Sequence, residues 1–145
     1  MSSANSYENT SKKNISLSTS QLLDEGIKFS REGKLVEAET ILNQILIKEP
    51  NHPEALQRLG VLLFQKGNKA GGLSLIEKAL SINPKMPDAL CNLGSMYEKI
   101  NNFSKALDAF DQTLKLSPQH SKAHNNRGIV LQRQRKFEEA IKSFQ

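Results

Sequence analysis

Residues 90–97 read Leu90-Cys91-Asn92-Leu93-Gly94-Ser95-Met96-Tyr97, and further on the chain places Ala106, Phe110, Leu114 and then Pro118. Leu90, Leu93, Gly94 and Tyr97 stand at i, i+3, i+4 and i+7, which is one face of an α-helix. Ala106, Phe110 and Leu114 stand at i, i+4 and i+8, one face of a second helix. Glycine on the first helix and alanine on the second let the two backbones approach closely. Pro118 then ends the second helix, because proline has no N–H to donate and restricts the residue before it. The stretch predicts an antiparallel helical hairpin.

The same spacing recurs on either side. Gly26, Gly60, Gly94 and Gly128 stand 34 residues apart, and Pro50, Pro84 and Pro118 keep the period. With glycine at its usual frequency, such a series arises by chance about once in ten thousand sequences or less. It therefore marks an internal repeat. Units begin at Thr19, Pro53, Pro87 and Ser121, giving repeats 19–52, 53–86, 87–120 and an incomplete 121–145. Phe29, Leu63, Tyr97 and Leu131 share one column; Ala38, Gly72, Ala106 and Ala140 share a small-residue column. Leu42, Ile76, Phe110 and Phe144 follow four residues later. Each hairpin has an apolar face that only its neighbours complete.

On these residues the chain resembles the tetratricopeptide repeat family from about Thr19 onward. The resemblance implies an all-α fold, a right-handed superhelical α-solenoid of stacked antiparallel helix hairpins. It departs from the family pattern at Glu25, at Gly71-Gly72, and at His124 and Arg127. Gly71 and Gly72 should soften the start of their helix, by up to about 1 kcal/mol each relative to Ala.

The two ends differ. Residues 1–18 are rich in Ser and Asn without sustained periodicity, and read as a disordered tail. At the other end Phe137, Ala140, Ile141 and Phe144 form an apolar stripe with nothing following to cover it, where solenoids normally carry a polar cap. The expectation is a fragment of a longer protein, or end-to-end association through the uncapped C-terminal helix.

In the family that the chain resembles, first helices of successive hairpins line a concave groove that binds extended peptides or helices. Carried over by position, the groove residues include Arg58 and Phe64 in repeat two, and Asn92 and Lys99 in repeat three. Repeat four offers Lys122, Asn125, Asn126, Gln132 and Arg133. Asn92 and Asn126 hold the same repeat position, and an amide both donates to and accepts from a peptide bond. This pair resembles the repeat arm of O-linked N-acetylglucosamine transferases. A chaperone-type carboxylate clamp is not expected. Its Lys, Asn, Asn, Lys and Arg are replaced over repeats one to three by Leu23, Ile27, Arg58, Asp88 and Asn92. Lys122 and Arg133 favour an acidic ligand segment near repeat four.

Composition bounds the remaining classes. The chain has 145 residues, a net charge of +5 and one cysteine, Cys91. A lone thiol builds no internal disulfide framework, no apolar run is long enough for a membrane helix, and no secretory pattern opens the chain. A cytoplasmic protein without membrane contact is the expectation. The basic residues are dispersed and Phe64 is the clear groove aromatic, which disfavours nucleic acid. His120 and His124 lie four apart but lack a third ligand nearby in sequence, so no metal site is expected. Cys91 lies within a predicted helix, and Gly67-Asn68-Lys69-Ala70-Gly71-Gly72 has its lysine misplaced for a phosphate loop. No catalytic residue, cofactor or small-molecule substrate is expected. The sequence thus points to a protein–protein interaction scaffold with a protein or peptide ligand. The alternative is the substrate-recognition arm of a longer enzyme such as a glycosyltransferase.

Overall fold

The computed structural model describes residues 17–143. Within them the chain forms seven helices and no strand: α1 (Thr19–Arg31), α2 (Leu35–Lys48), α3 (Pro53–Gln65), α4 (Lys69–Ile82), α5 (Pro87–Lys99), α6 (Phe103–Leu116) and α7 (Ser121–Ser143). This is the expected all-α solenoid, in which α1, α3, α5 and α7 are the first helices of successive repeats. Residues 1–16 of the predicted tail, and Phe144 of the predicted stripe, lie outside the described residues.

Local chemistry sets the helix ends. Ser18 Oγ accepts from the Gln21 N–H at 3.2 Å, while Gln21 Oε1 accepts from the Ser18 N–H at 2.9 Å, a capping box. Leu17 packs against the cluster around Leu22 and Leu42. These two residues, assigned to the tail from sequence, therefore serve the first repeat. Asn68 and Asn102 cap α4 and α6 with their side chains, and His52 caps α3 through Nδ1. At the other ends Glu49, Asn83 and Ser117 are extended, with ψ of 83°, 98° and 87°. Each precedes a proline, which disfavours the helical region for the residue before it.

The turns inside the hairpins explain the one departure from the expected repeat. Gly33, Gly67 and Asn101 occupy the same repeat position, with φ of 75°, 101° and 63°. Left-handed backbone costs most L-residues about 1–2 kcal/mol, and glycine and asparagine least. Repeat four has Arg135 at this position. There the chain makes no turn: α7 runs through Arg135 as one helix of 23 residues. The separate second helix expected after Arg135 is replaced by a straight continuation.

Packing is densest within each hairpin. Gly60 and Gly72 meet across the second: a Cβ on Gly60 would lie 2.8 Å from the Gly72 carbonyl oxygen, and one on Gly72 2.5 Å from that of Gly60. Gly72, read from sequence as a weakness, is what lets α3 and α4 approach. A Cβ on Gly94 would lie 2.6 Å from the Phe110 ring, whereas one on Gly128 meets nothing within 4 Å. Buried clusters run the length of the array, around Leu42 and Ile45, around Ile76, and around Phe110 and Val130. Between repeats, α2, α4 and α6 each pack on the following first helix. First helices also touch directly, α3 on α5 and α5 on α7, while second helices do not pack on one another to the same degree. The first helices are thus the crowded, inner side of the curve.

Candidate functional site

The inner face divides into an open part and a closed part. On the open part, α3 contributes Gln57, Arg58, Val61, Leu62 and Gln65, α5 contributes Asn92, and Ser30 and Leu35 come from repeat one. Together they line a pocket of about 190 Å³. Gln57 is 9% exposed. Arg58 reaches back one turn to Glu54, with Nη2 at 3.0 Å and Nε at 3.2 Å from the same carboxylate oxygen.

The closed part is the seam between α5 and the region of α7. Its side chains pair in sequence along one face of α5. Asp88 Oδ1 accepts from His120 Nε2 at 2.9 Å. Lys122 Nζ lies 3.5 Å from Asn92 Oδ1. Asn126 Nδ2 donates to Ser95 Oγ at 3.0 Å, and Arg133 pairs with Glu98. Residues 88, 92, 95 and 98 recur at helical spacing, so one face of α5 carries the whole seam. The proton on His120 is fixed by geometry: Nδ1 accepts from the Ala123 N–H at 3.2 Å, so Nε2 is the donor toward Asp88.

The predicted site residues therefore separate. Arg58 and Asn92 come together at the pocket. Lys122, Asn126 and Arg133 each make a side-chain contact with α5. Lys99, Asn125 and Gln132 are exposed. Phe64 is a correction. It is buried against Ile76 and Met96 on the hairpin side of α3, and is not a groove residue. It stands four residues after Gly60, hence on the same face as the glycine that seats α4. That spacing was readable in the sequence. Its burial also removes the aromatic that base stacking would use.

Other residues acquire places that sequence reasoning missed. Ser30 and Gln65 line the pocket. His120 has a carboxylate neighbour after all, Asp88, which lies 32 residues away in sequence. His124 turns to the Pro118 carbonyl at 2.8 Å, so the two histidines do not converge. Among the described residues no group of three His, Cys, Asp or Glu side chains is placed to hold a metal. Cys91 is fully buried in the core, and burial pushes its thiol up from the ordinary value, with Lys122 pulling the other way. No helix among the described residues is long and apolar enough to cross a membrane.

The outer face has its own hollow where α4 and α6 splay apart, about 460 Å³ in volume. Tyr97 donates to Glu77 Oε1 there at 2.7 Å, and Lys105 Nζ sits 5.3 Å from the Tyr97 ring centroid. Burial first, and then the hydrogen bond to Glu77, push the Tyr97 phenol up to about 12.

Models of the tetratricopeptide repeat match residues 23–87, 87–120 and 109–142. No curated protein matches the chain in sequence. Among solved structures it is similar to an O-GlcNAc transferase of Thermobaculum terrenum, 24% identical with a TM-score of 0.75, over 78% of this chain and 22% of that one. It is similar to the first TPR of Spaghetti (RPAP3) bound to an HSP90 peptide, 20% identical with a TM-score of 0.72, over 79% of this chain and 90% of that one. The Sgt2 TPR domain from Aspergillus fumigatus is 19% identical with a TM-score of 0.74, over 86% of this chain and 82% of that one. The likeness is one of fold.

Proposed function

The chain belongs to the tetratricopeptide repeat family, and on that premise we propose that it is a protein–protein interaction scaffold holding an extended peptide in the concave groove of its first helices. The observation that carries this reading is the pocket at Gln57, Arg58 and Asn92, an open polar recess on the inner side of the curve. Along the α5–α7 seam the facing polar groups Asn92, Ser95 and Glu98 already have partners in Lys122, Asn126 and Arg133. A protein of the same fold holds a peptide, which supports peptide as the ligand class. Its own peptide is not carried over, because Leu23, Ile27, Arg58, Asp88 and Asn92 stand where the clamp would need Lys, Asn, Asn, Lys and Arg. Asn92 and Asn126 each make one side-chain bond within the protein and keep the rest of their amide valences for a peptide backbone.

The test is a pulldown with the intact chain against a variant carrying Arg58→Glu and Asn92→Arg. The reading expects captured proteins to be lost while the melting temperature holds. Capture unaffected by the double change would move the binding surface off the inner face.

We also propose end-to-end association at the far edge. There Phe137 is 67% and Ile141 52% exposed, beside Phe103 around a hollow of about 530 Å³. Sedimentation at rising concentration should show a dimer that Phe137→Glu abolishes. A monomer at every concentration would contradict it.

A further inference from the structure

Gln57 sits deep in the recess with its amide open to solvent. It is 9% exposed, yet no described residue hydrogen-bonds its amide, which keeps access to solvent through the pocket it lines. Its amide can therefore exchange water for a ligand's polar group.

The surrounding groups define what that ligand must offer. Arg58 spends Nε and Nη2 on Glu54 and keeps the hydrogens of Nη1. Asn92 accepts from Lys122 through Oδ1 and keeps both hydrogens of Nδ2. Ser30 gives its hydroxyl proton to the Gly26 carbonyl at 2.9 Å. With the two amide hydrogens of Gln57, the recess gathers uncommitted donors around the Arg58 guanidinium. Glu54 is the nearby carboxylate that opposes an anion, and its Oε1 is already taken by Arg58. A carboxylate accepts through both oxygens and suits the Arg58 guanidinium and these amide hydrogens; a carboxamide carries no charge to pair with it. Charge-assisted bonds are also the stronger ones.

We propose that the recess is a subsite for the side-chain carboxylate of one Asp or Glu within a peptide lying in the groove. This rests on the groove reading above and adds the side-chain class that the groove selects. A volume of about 190 Å³ admits one side chain and no folded element.

The probe is a peptide library with randomised central positions, selected on the intact protein and on three variants: Gln57→Glu, Gln57→Met and Arg58→Gln. On the natural protein an acidic residue should be enriched about tenfold over Asn or Gln at one position, the ratio expected of a net charge-assisted pair. Gln57→Glu sets a carboxylate against the guest's own, and should abolish that preference. Gln57→Met, close in volume and uncharged, should weaken it without loss of folding, and Arg58→Gln should weaken it while other positions of the recovered peptides stay the same. Peptides recovered without acidic preference, or a preference indifferent to all three changes, would overturn the subsite and leave the groove standing. No enrichment of any peptide on the natural protein would overturn the groove, and the subsite with it.

Discussion

Asn126 donates from its side-chain amide to Ser95 Oγ across the α5–α7 seam at 3.0 Å, and the Ser95 hydroxyl in turn donates to the Cys91 carbonyl at 3.1 Å. The asparagine is thus held by the protein's own relay, and its first role is to fasten repeat four to repeat three. Asn126→Ala should lower stability by about 1 kcal/mol. A double-mutant cycle with Ser95→Ala, followed by urea unfolding, should give a coupling of about 0.5–1.5 kcal/mol. Additive losses would mean that the relay contributes nothing.

Three of the in-phase glycines should respond to alanine with opposite signs. At Gly60 and Gly94 a Cβ would strike the Gly72 carbonyl or the Phe110 ring. Overpacking of this kind costs about 1–3 kcal/mol, more than the roughly 1 kcal/mol that alanine gains in helix propensity. Gly128→Ala meets no neighbour and should stabilise by about 1 kcal/mol. Thermal melts of the three variants check the contrast. A loss at Gly128 would show that a second helix packs there, and that α7 is not straight.

Cys91 should be inert in the folded protein. It is 1% exposed and its thiol is pushed up by burial. Reaction with a chromogenic disulfide at neutral pH should be on the order of a hundredfold slower than in urea. Equal rates would contradict the burial.

Tyr97 sets an alkaline limit. Its phenol, pushed up to about 12, keeps its proton longer in the folded chain than in the unfolded one, where tyrosine titrates near 10. The folded state therefore binds more protons across that window. The contribution is full below about 10 and is lost as pH rises through about 12. Absorbance titration should show a late step near pH 12 that Tyr97→Phe removes.

Much of this architecture was legible in advance, because a 34-residue period in glycine and proline fixes both the hairpin seats and the helix ends. Gly94 against Phe110, and Pro118 after the extended Ser117, are where the spacing placed them. The site was less legible. Family analogy points Phe64 to the groove, although its spacing from Gly60 puts it on the hairpin face. The pairs Asp88–His120, Ser95–Asn126 and Glu98–Arg133 join residues about one repeat apart. A column-by-column reading compares such residues as equivalents and does not look for contact between them. The straight course of α7 turns on Arg135 standing where three other repeats carry Gly or Asn, a substitution outside the columns used to define the repeat.

The central claim is that ligand lies on the inner face, across the pocket at Gln57 and Arg58. The most direct measurement is photo-crosslinking of library-selected peptide to two proteins. One carries a benzophenone amino acid in place of Gln65, at the pocket, and the other in place of Ser81, at the outer hollow. The account predicts peptide adducts from position 65 and none from position 81. Adducts from position 81 alone, or equally from both, would contradict it.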